Sequence, residues 1–325
     1  MLSRVAENLY WMSRQIERAD SLARLVMAHQ NELLDATAMG SWENEWHPLL
    51  EVTSMGDEES TEGVVTYMVS SRENPDSIFQ CIFYARENAR GVRDQITEEM
   101  WVELNSLWLS LSRYDVSDPD RHMKMCNEVI QFSFLFRGIV SGVLPRTDAW
   151  HFVRLGETIE RADKTSRMLD LPNFLPKPEI TSAWNTMLKA TSATVEHQQQ
   201  YGGEVDRSSA ISLLLFSTTF PRAVRYCAIE LDRILHLISG TREEDYLNEA
   251  ERAAGAFRSR MNFQGVEDLG RLGLHKFIDA IQKDLNKIGD EIVTRYFMIR
   301  PKEFPSSAQA YVASRVQAHA KAAQQ

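Results

Sequence analysis

Two short segments carry the side chains best suited to chemistry. Ile16-Glu17-Arg18-Ala19-Asp20 recurs as Ile159-Glu160-Arg161-Ala162-Asp163, with Arg24 and Arg167 in the same register. Residues three apart on a helix share a face, so Glu17 with Asp20, and Glu160 with Asp163, each present a stripe of two carboxylates. Arg18 and Arg161 stand about 100° round the helix from the glutamate before them. Several uses fit this set. A buried Glu–Arg network would fix the register of two central helices, because Arg favours paired, bidentate sites. The same six residues, Glu17, Arg18, Asp20, Glu160, Arg161 and Asp163, would otherwise line a binding or catalytic pocket, hold Mg²⁺ or Mn²⁺ by carboxylates alone, or form solvated faces.

A di-iron centre needs Glu-x-x-His on two helices. No Glu-x-x-His occurs here, and no two histidines lie three or four apart. The chain also lacks a Gly-rich phosphate loop, a G-x-S-x-G elbow and a His-based triad pattern. No metal and no cofactor are therefore expected, and the sequence offers no strong nucleophile candidate. A second set of polar residues, Arg86, Arg90 and Arg93, falls on one helical stripe suited to phosphate or carboxylate, with Arg222 and Arg225 as counterparts further on. Pairing with Glu87 and Asp94 at the surface is the alternative use of that stripe, and Gly91 beside Val92 would also permit close helix packing.

These residues must be positioned by helices. Gly (15) and Pro (10) are scarce in 325 residues, and no alternating apolar run of strand length carries hairpin signals. In the first segment Val5, Leu9, Met12, Ile16, Ala19, Ala23, Val26 and Met27 recur at spacings of three and four, which predicts one helix from Ser3 to about Ala38, stopped by Gly40. Helices are also expected from Trp46-His47-Pro48, from Ser77 to Ile96, from Glu98 to Leu111, and from Pro119 towards Val143. Pro145-Arg146-Thr147-Asp148 separates that last one from a long helix ending at Leu171. Beyond a linker marked by Pro172, Pro176 and Pro178, the pattern continues as helices over Glu179–His197, Ser208–Ile238, Glu243–Arg260 and Val266–Phe297. The fold class read from this pattern is all-α, a helical bundle.

The motif is one of three ordered matches. Trp46-His47-Pro48-Leu49-Leu50 lines up with Trp184-Asn185-Thr186-Met187-Leu188, and Arg90-Gly91-Val92-Arg93 with Arg222-Ala223-Val224-Arg225. Two tandem copies of one helical unit, related by a pseudo-twofold axis, are therefore expected: residues 1–145 and 146–300, fused into one globular body, with a partly helical or disordered tail over 301–325. The two motif helices would form the central pair.

Bulk composition narrows the functional classes. Lys and Arg number 36 against 46 Asp and Glu, a net charge of −10, which argues against general nucleic-acid binding. The stretch from Glu43 to Glu62 holds seven acidic residues and no basic one, and reads as a solvated acidic loop or a docking surface for a basic partner. Cys81, Cys126 and Cys227 form no CxxC pair, so neither a zinc site nor a disulfide framework is expected, and a reduced compartment fits best. The opening residues contain no apolar h-region. The most apolar run, Phe132 to Leu144, is interrupted by Arg137. A soluble, cytoplasmic protein without membrane segments is expected.

The segments from Leu9 to Asp20, from Ala85 to Asp94 and from Phe152 to Asp163 together resemble the bacterial Alpha-E family, named for a helical domain with a Glu-Arg motif. The resemblance spans roughly Met1 to Ile299. Where that family more usually has Pro-Arg-Ser-Val, this chain has Pro221-Arg222-Ala223-Val224, which removes a hydroxyl. The resemblance implies a setting of ATP-dependent amide-bond formation on peptides or small metabolites, because such proteins are typically encoded or fused beside a circularly permuted ATP-grasp ligase and a transglutaminase-like protein. The leading expectation is a docking partner of that ligase with no catalysis of its own. The alternatives are an enzyme with a carboxylate/arginine site between the two repeats, acting on peptide or amide substrates, and a homo-oligomeric scaffold.

Overall fold

The computed structural model describes residues 1–37, 46–53, 63–114, 119–174 and 181–298. The Gly40 stop, most of the acidic stretch, the Pro176–Pro178 linker and the 301–325 tail lie outside them. Among the described residues the chain is all helical. The helices are α1 (Ser3–Thr37), α2 (His47–Thr53), α3 (Val64–Val69), α4 (Ile78–Arg90), α5 (Glu98–Leu111), α6 (Pro119–Gly142), α7 (Asp148–Met168), α8 (Leu171–Phe174), α9 (Thr181–Ala190), α10 (Thr194–Tyr201), α11 (Arg207–Phe216), α12 (Val224–Ser239), α13 (Glu249–Phe263), α14 (Val266–Leu272) and α15 (Leu274–Ile292). α15 runs on into a π-helical turn, Val293–Phe297.

Local chemistry sets the boundaries. The hydroxyls of Ser77 and Thr97 accept from the amides of Gln80 (3.2 Å) and Met100 (3.3 Å), capping α4 and α5. Asn248 caps α13 in the same way, through the Glu251 amide at 3.1 Å. Three long helices expected from periodicity are interrupted. The 208–238 helix breaks between Phe216 and Val224, where Pro221 cannot donate to the helical ladder. The 179–197 helix breaks at Ser192, which adopts φ +57°, and the 266–297 helix at Gly273, with φ +79°.

α1 and α7 cross at the centre of the core. Leu155 to Asp163, nine consecutive residues, are all buried, so this part of α7 is enclosed on every side. A Cβ at Gly156 would lie 2.3 Å from the Tyr10 carbonyl oxygen. Only glycine admits so close a backbone approach. Phe297 packs on Tyr10 (ring centroids 5.3 Å apart) and on Phe152 (6.2 Å), closing one side of the crossing. Around this pair α4, α6 and α9 pack on α1, and α2, α12 and α15 pack on α7. No helix among the described residues is long and apolar enough to cross a membrane.

Candidate functional site

The crossing brings the two motifs face to face. Glu17 receives two parallel bonds from Arg161, Nε to Oε1 and Nη2 to Oε2, both at 3.0 Å. Reciprocally, Glu160 receives Arg18 Nε at 2.6 Å. Each motif glutamate is thus held by the motif arginine of the opposite helix, and both glutamates are essentially sealed from solvent. Further cations complete the shell. Arg137 Nη2 (2.9 Å) and Arg222 Nη1 (3.0 Å) also reach Glu17, while Arg14 Nε reaches Glu160 at 2.7 Å. Asp20 takes Arg24 (2.9 Å), Arg222 (2.6 Å) and Arg137. Asp163 takes Arg167 on both oxygens, at 3.0 and 3.1 Å. Glu157, one turn before Arg161, adds a third buried carboxylate bound by Arg137, Arg154 and Arg161.

The electrostatics follow from this count of donors. Burial alone would push the Glu17 carboxyl up, but Arg161, Arg137 and Arg222 overcome it and hold the group well below the usual carboxylate range. Glu160 is likewise depressed, with burial opposed by Arg18, Arg14 and Lys164, and so is Glu157, through Arg161 and Arg154. Folded-state values below the ordinary 4.5 mean that the unfolded chain takes up protons first as pH falls. The stability these groups contribute is present above about pH 4.5 and is lost progressively below it. A melting series by circular dichroism from pH 7 to pH 3 is expected to show a steep fall in Tm beginning near pH 5. A Tm level down to pH 3 would contradict the pairing.

The sequence-predicted residues divide into two groups. Glu17, Arg18, Asp20, Glu160, Arg161 and Asp163 all lie in this network, and Arg222 joins it. Every carboxylate oxygen of the four motif acids is met by a guanidinium or ammonium, so the carboxylate-only Mg²⁺ or Mn²⁺ arrangement finds its ligand positions occupied. Arg86, Arg90, Arg93 and Arg225 lie elsewhere. Arg86 bonds Asn105 and Glu87 and stacks on Trp108, Arg90 is exposed and pairs with Glu87, and Arg93 sits over Trp101. Arg225 donates to the backbone carbonyls of Met261 and Gln264. Arg86 and Arg90 thus share Glu87, and Arg86 and Arg93 share the Trp101 ring, while Arg222 and Arg225, in the second half, turn to separate partners.

The alignment of Arg90–Arg93 with Arg222–Arg225 is also corrected. Arg90 closes α4, whereas Arg222 precedes α12. Ala223 is the residue before α12 and supplies no side-chain cap. A hydroxyl at position 223 would stand at the helix cap, the role Ser77 plays at the start of α4.

Sequence reasoning missed Arg14, Asp76, Arg137, Arg154 and Glu157. Arg137 carried a signal, a lone cation in an apolar run. Arg14 and Glu157 lie three or four residues before the motif residues Glu17 and Arg161, one helical turn away. Asp76, which pairs with Arg18, precedes α4 and had none.

A cavity of about 290 Å³ opens against the network between α1, α6, α7 and α12, with Glu17, Arg137 and Glu157 among its lining residues. The three cysteines are buried and unpaired, and burial pushes each thiol up to about 12, so none is a thiolate at neutral pH.

Among known proteins, the chain is similar to an uncharacterized protein of Mycobacterium bovis (strain ATCC BAA-935 / AF2122/97) and to one of Mycobacterium tuberculosis (strain CDC 1551 / Oshkosh). Each is 20% identical over an alignment covering 88% of this chain and 36% of the relative. The chain therefore spans about a third of the length of the curated relatives it matches. No solved structure matches. The profile of the Alpha-E family, a predicted alpha-helical domain with a conserved ER motif, matches residues 1–297, and the chain belongs to that family.

Proposed function

We propose that the chain is an accessory or docking partner of an ATP-grasp amide ligase, in a system that forms amide bonds on peptides or small metabolites, and that its Glu-Arg motif clamps helices instead of reacting. The saturation of the motif carboxylates carries this reading. A general base needs a free lone pair and a pKa near the working pH. Glu17 and Glu160 have neither, since guanidinium groups cover their oxygens and hold them ionised. Membership of the Alpha-E family supports the partnership, and a transglutaminase-like protein is the second candidate partner. The curated relatives extend well beyond the matched region, so the unit occurs joined to further chain.

The same reading takes the two halves as copies of one unit related by a pseudo-twofold axis. The reciprocal pairs Glu17–Arg161 and Arg18–Glu160 support it. So does a shared approach to the helix that packs on each motif helix. Pro75 and Pro221 each precede a cysteine by six residues, and Cys81 and Cys227 each place Sγ 3.6 Å from a carbonyl oxygen of that approach. The halves differ in charge at matching places, with Asp76 where the second has Arg222 and Arg14 where it has Glu157.

Native pull-down of the tagged chain from its own cells, read by mass spectrometry, tests the partnership. Recovery of an ATP-grasp protein in near-stoichiometric amount is expected. Elution alone after gentle crosslinking would contradict it. One observation favours the second reading, an enzyme acting on peptide or amide substrates: the cavity reaches Glu17 and Glu157. On that reading Glu17→Gln abolishes turnover and leaves the melting temperature nearly unchanged.

A further inference from the structure

The cavity between α1, α6, α7 and α12 retains binding capacity that the Glu-Arg network does not consume. Four arginines line it, Arg137, Arg146, Arg154 and Arg233. Three carboxylates face them, Glu17, Glu157 and Glu230, so the lining carries one excess positive charge in a chain of net charge −10. Behind it, Arg161 and Arg222 also draw on Glu17, while Asp20 draws on Arg137 and Arg222, so charges of both signs in the lining are shared with groups outside it.

Two of the lining donors, Arg146 and Arg154, are incompletely used. Arg146 forms no ion pair among the described residues. One of its N–H groups donates to the Ser141 carbonyl at 3.0 Å, and its guanidinium lies 4.4 Å from the centroid of the Trp150 ring. Arg154 donates through Nη1 to Glu157 and lies 5.9 Å from the same ring, leaving its remaining N–H groups without an acceptor among the described residues. The indole N–H of Trp150 is buried with no acceptor among the described residues, as are those of Trp108 and Trp184 away from the cavity. A buried donor left unpaired is costly, and native structures rarely keep one without a partner or a ligand to fill the place.

We propose that this cavity binds a small monocarboxylate, its carboxylate taken by Arg146 and Arg154 and its planar or apolar remainder lying along Trp150, Phe136 and Val153. Guanidinium groups bind carboxylates through paired, charge-assisted bonds. A single negative charge matches the single excess positive charge. A phosphate dianion would bring a second charge towards Glu157 and Glu230 with nothing to offset it. A volume of about 290 Å³ suits a ligand of amino-acid size. The inference stands apart from the ligase partnership: a chain that docks a ligase and binds no carboxylate would fail here alone.

Isothermal titration of the full chain with acetate, benzoate and hippurate tests it, with hippuramide and inorganic phosphate as counter-probes. Benzoate or hippurate is expected to bind saturably with one site per chain and to quench tryptophan fluorescence. Hippuramide and phosphate are expected not to bind. Arg146 is exposed, so Arg146→Gln should leave the melting temperature unchanged while weakening binding about tenfold or more. Arg154→Gln should weaken it similarly. Absence of binding by all three carboxylates, equal binding of phosphate, or undiminished affinity in both variants would overturn the proposal.

Discussion

Glu17→Gln is expected to lower the unfolding free energy by about 3–5 kcal/mol, the cost of removing one partner from a buried charged cluster. The side chain is 1% exposed and accepts from Arg161, Arg137 and Arg222. Glutamine keeps the shape but presents an amide NH₂ to one of those guanidinium groups and removes the charge that balanced them. Arg161, buried in the α1–α7 crossing, cannot reach water without opening it, so its unpaired charge falls on the folded state. Urea titration followed by circular dichroism reads it directly. Arg90→Ala provides the contrast, because Arg90 is exposed and among the described residues pairs only with Glu87, and exposed pairs contribute about 0–1 kcal/mol. If Glu17→Gln proved as mild as Arg90→Ala, the motif would not be a structural clamp.

Gly156→Val is the second large effect, expected to cost about 3 kcal/mol. The obstacle is backbone: an added Cβ meets the Tyr10 carbonyl oxygen at 2.3 Å and its carbonyl carbon at 3.1 Å. A flexible side chain would yield to it, but α1 has to move as a whole. Separating the helices there also lengthens the Glu17–Arg161 and Arg18–Glu160 pairs one turn along, so the packing and electrostatic penalties share one displacement. Gly138→Ala in α6 is the control. Nothing lies within 4 Å of a Cβ at that position, and alanine's higher helix propensity should raise stability by up to about 1 kcal/mol. Thermal melts of the two variants are expected to move in opposite directions.

What was legible in the sequence was what depends on short-range pattern. α1, α5 and α7 were readable because apolar residues recur at helical spacing and Thr97 and Pro145 mark boundaries. The two motif helices were expected as a central pair because the same motif appears twice on long helices, but that Glu17 meets Arg161 and Glu160 meets Arg18 comes from the crossing itself. The rest depends on tertiary contact. Ser208–Ile238 looked continuous because its apolar spacing survives across Pro221, yet the chain turns there and delivers Arg222 to Glu17 and Asp20. Arg137 looked like an interruption of an apolar run until α6 packed on α1 and brought it to three carboxylates. The cavity has no local signature at all, since four helices and the turn before α7 line it.

The reciprocal clamp is tested most directly by a double-mutant cycle on Glu17 and Arg161, with Glu17→Gln, Arg161→Gln and the pair measured by equilibrium unfolding. Residues in direct contact within one charge network couple by about 0.5–3 kcal/mol. The pair should therefore be substantially less destabilised than the two single changes added together. Strict additivity would mean that the two side chains do not meet, and that the Glu-Arg motif does not hold α1 against α7.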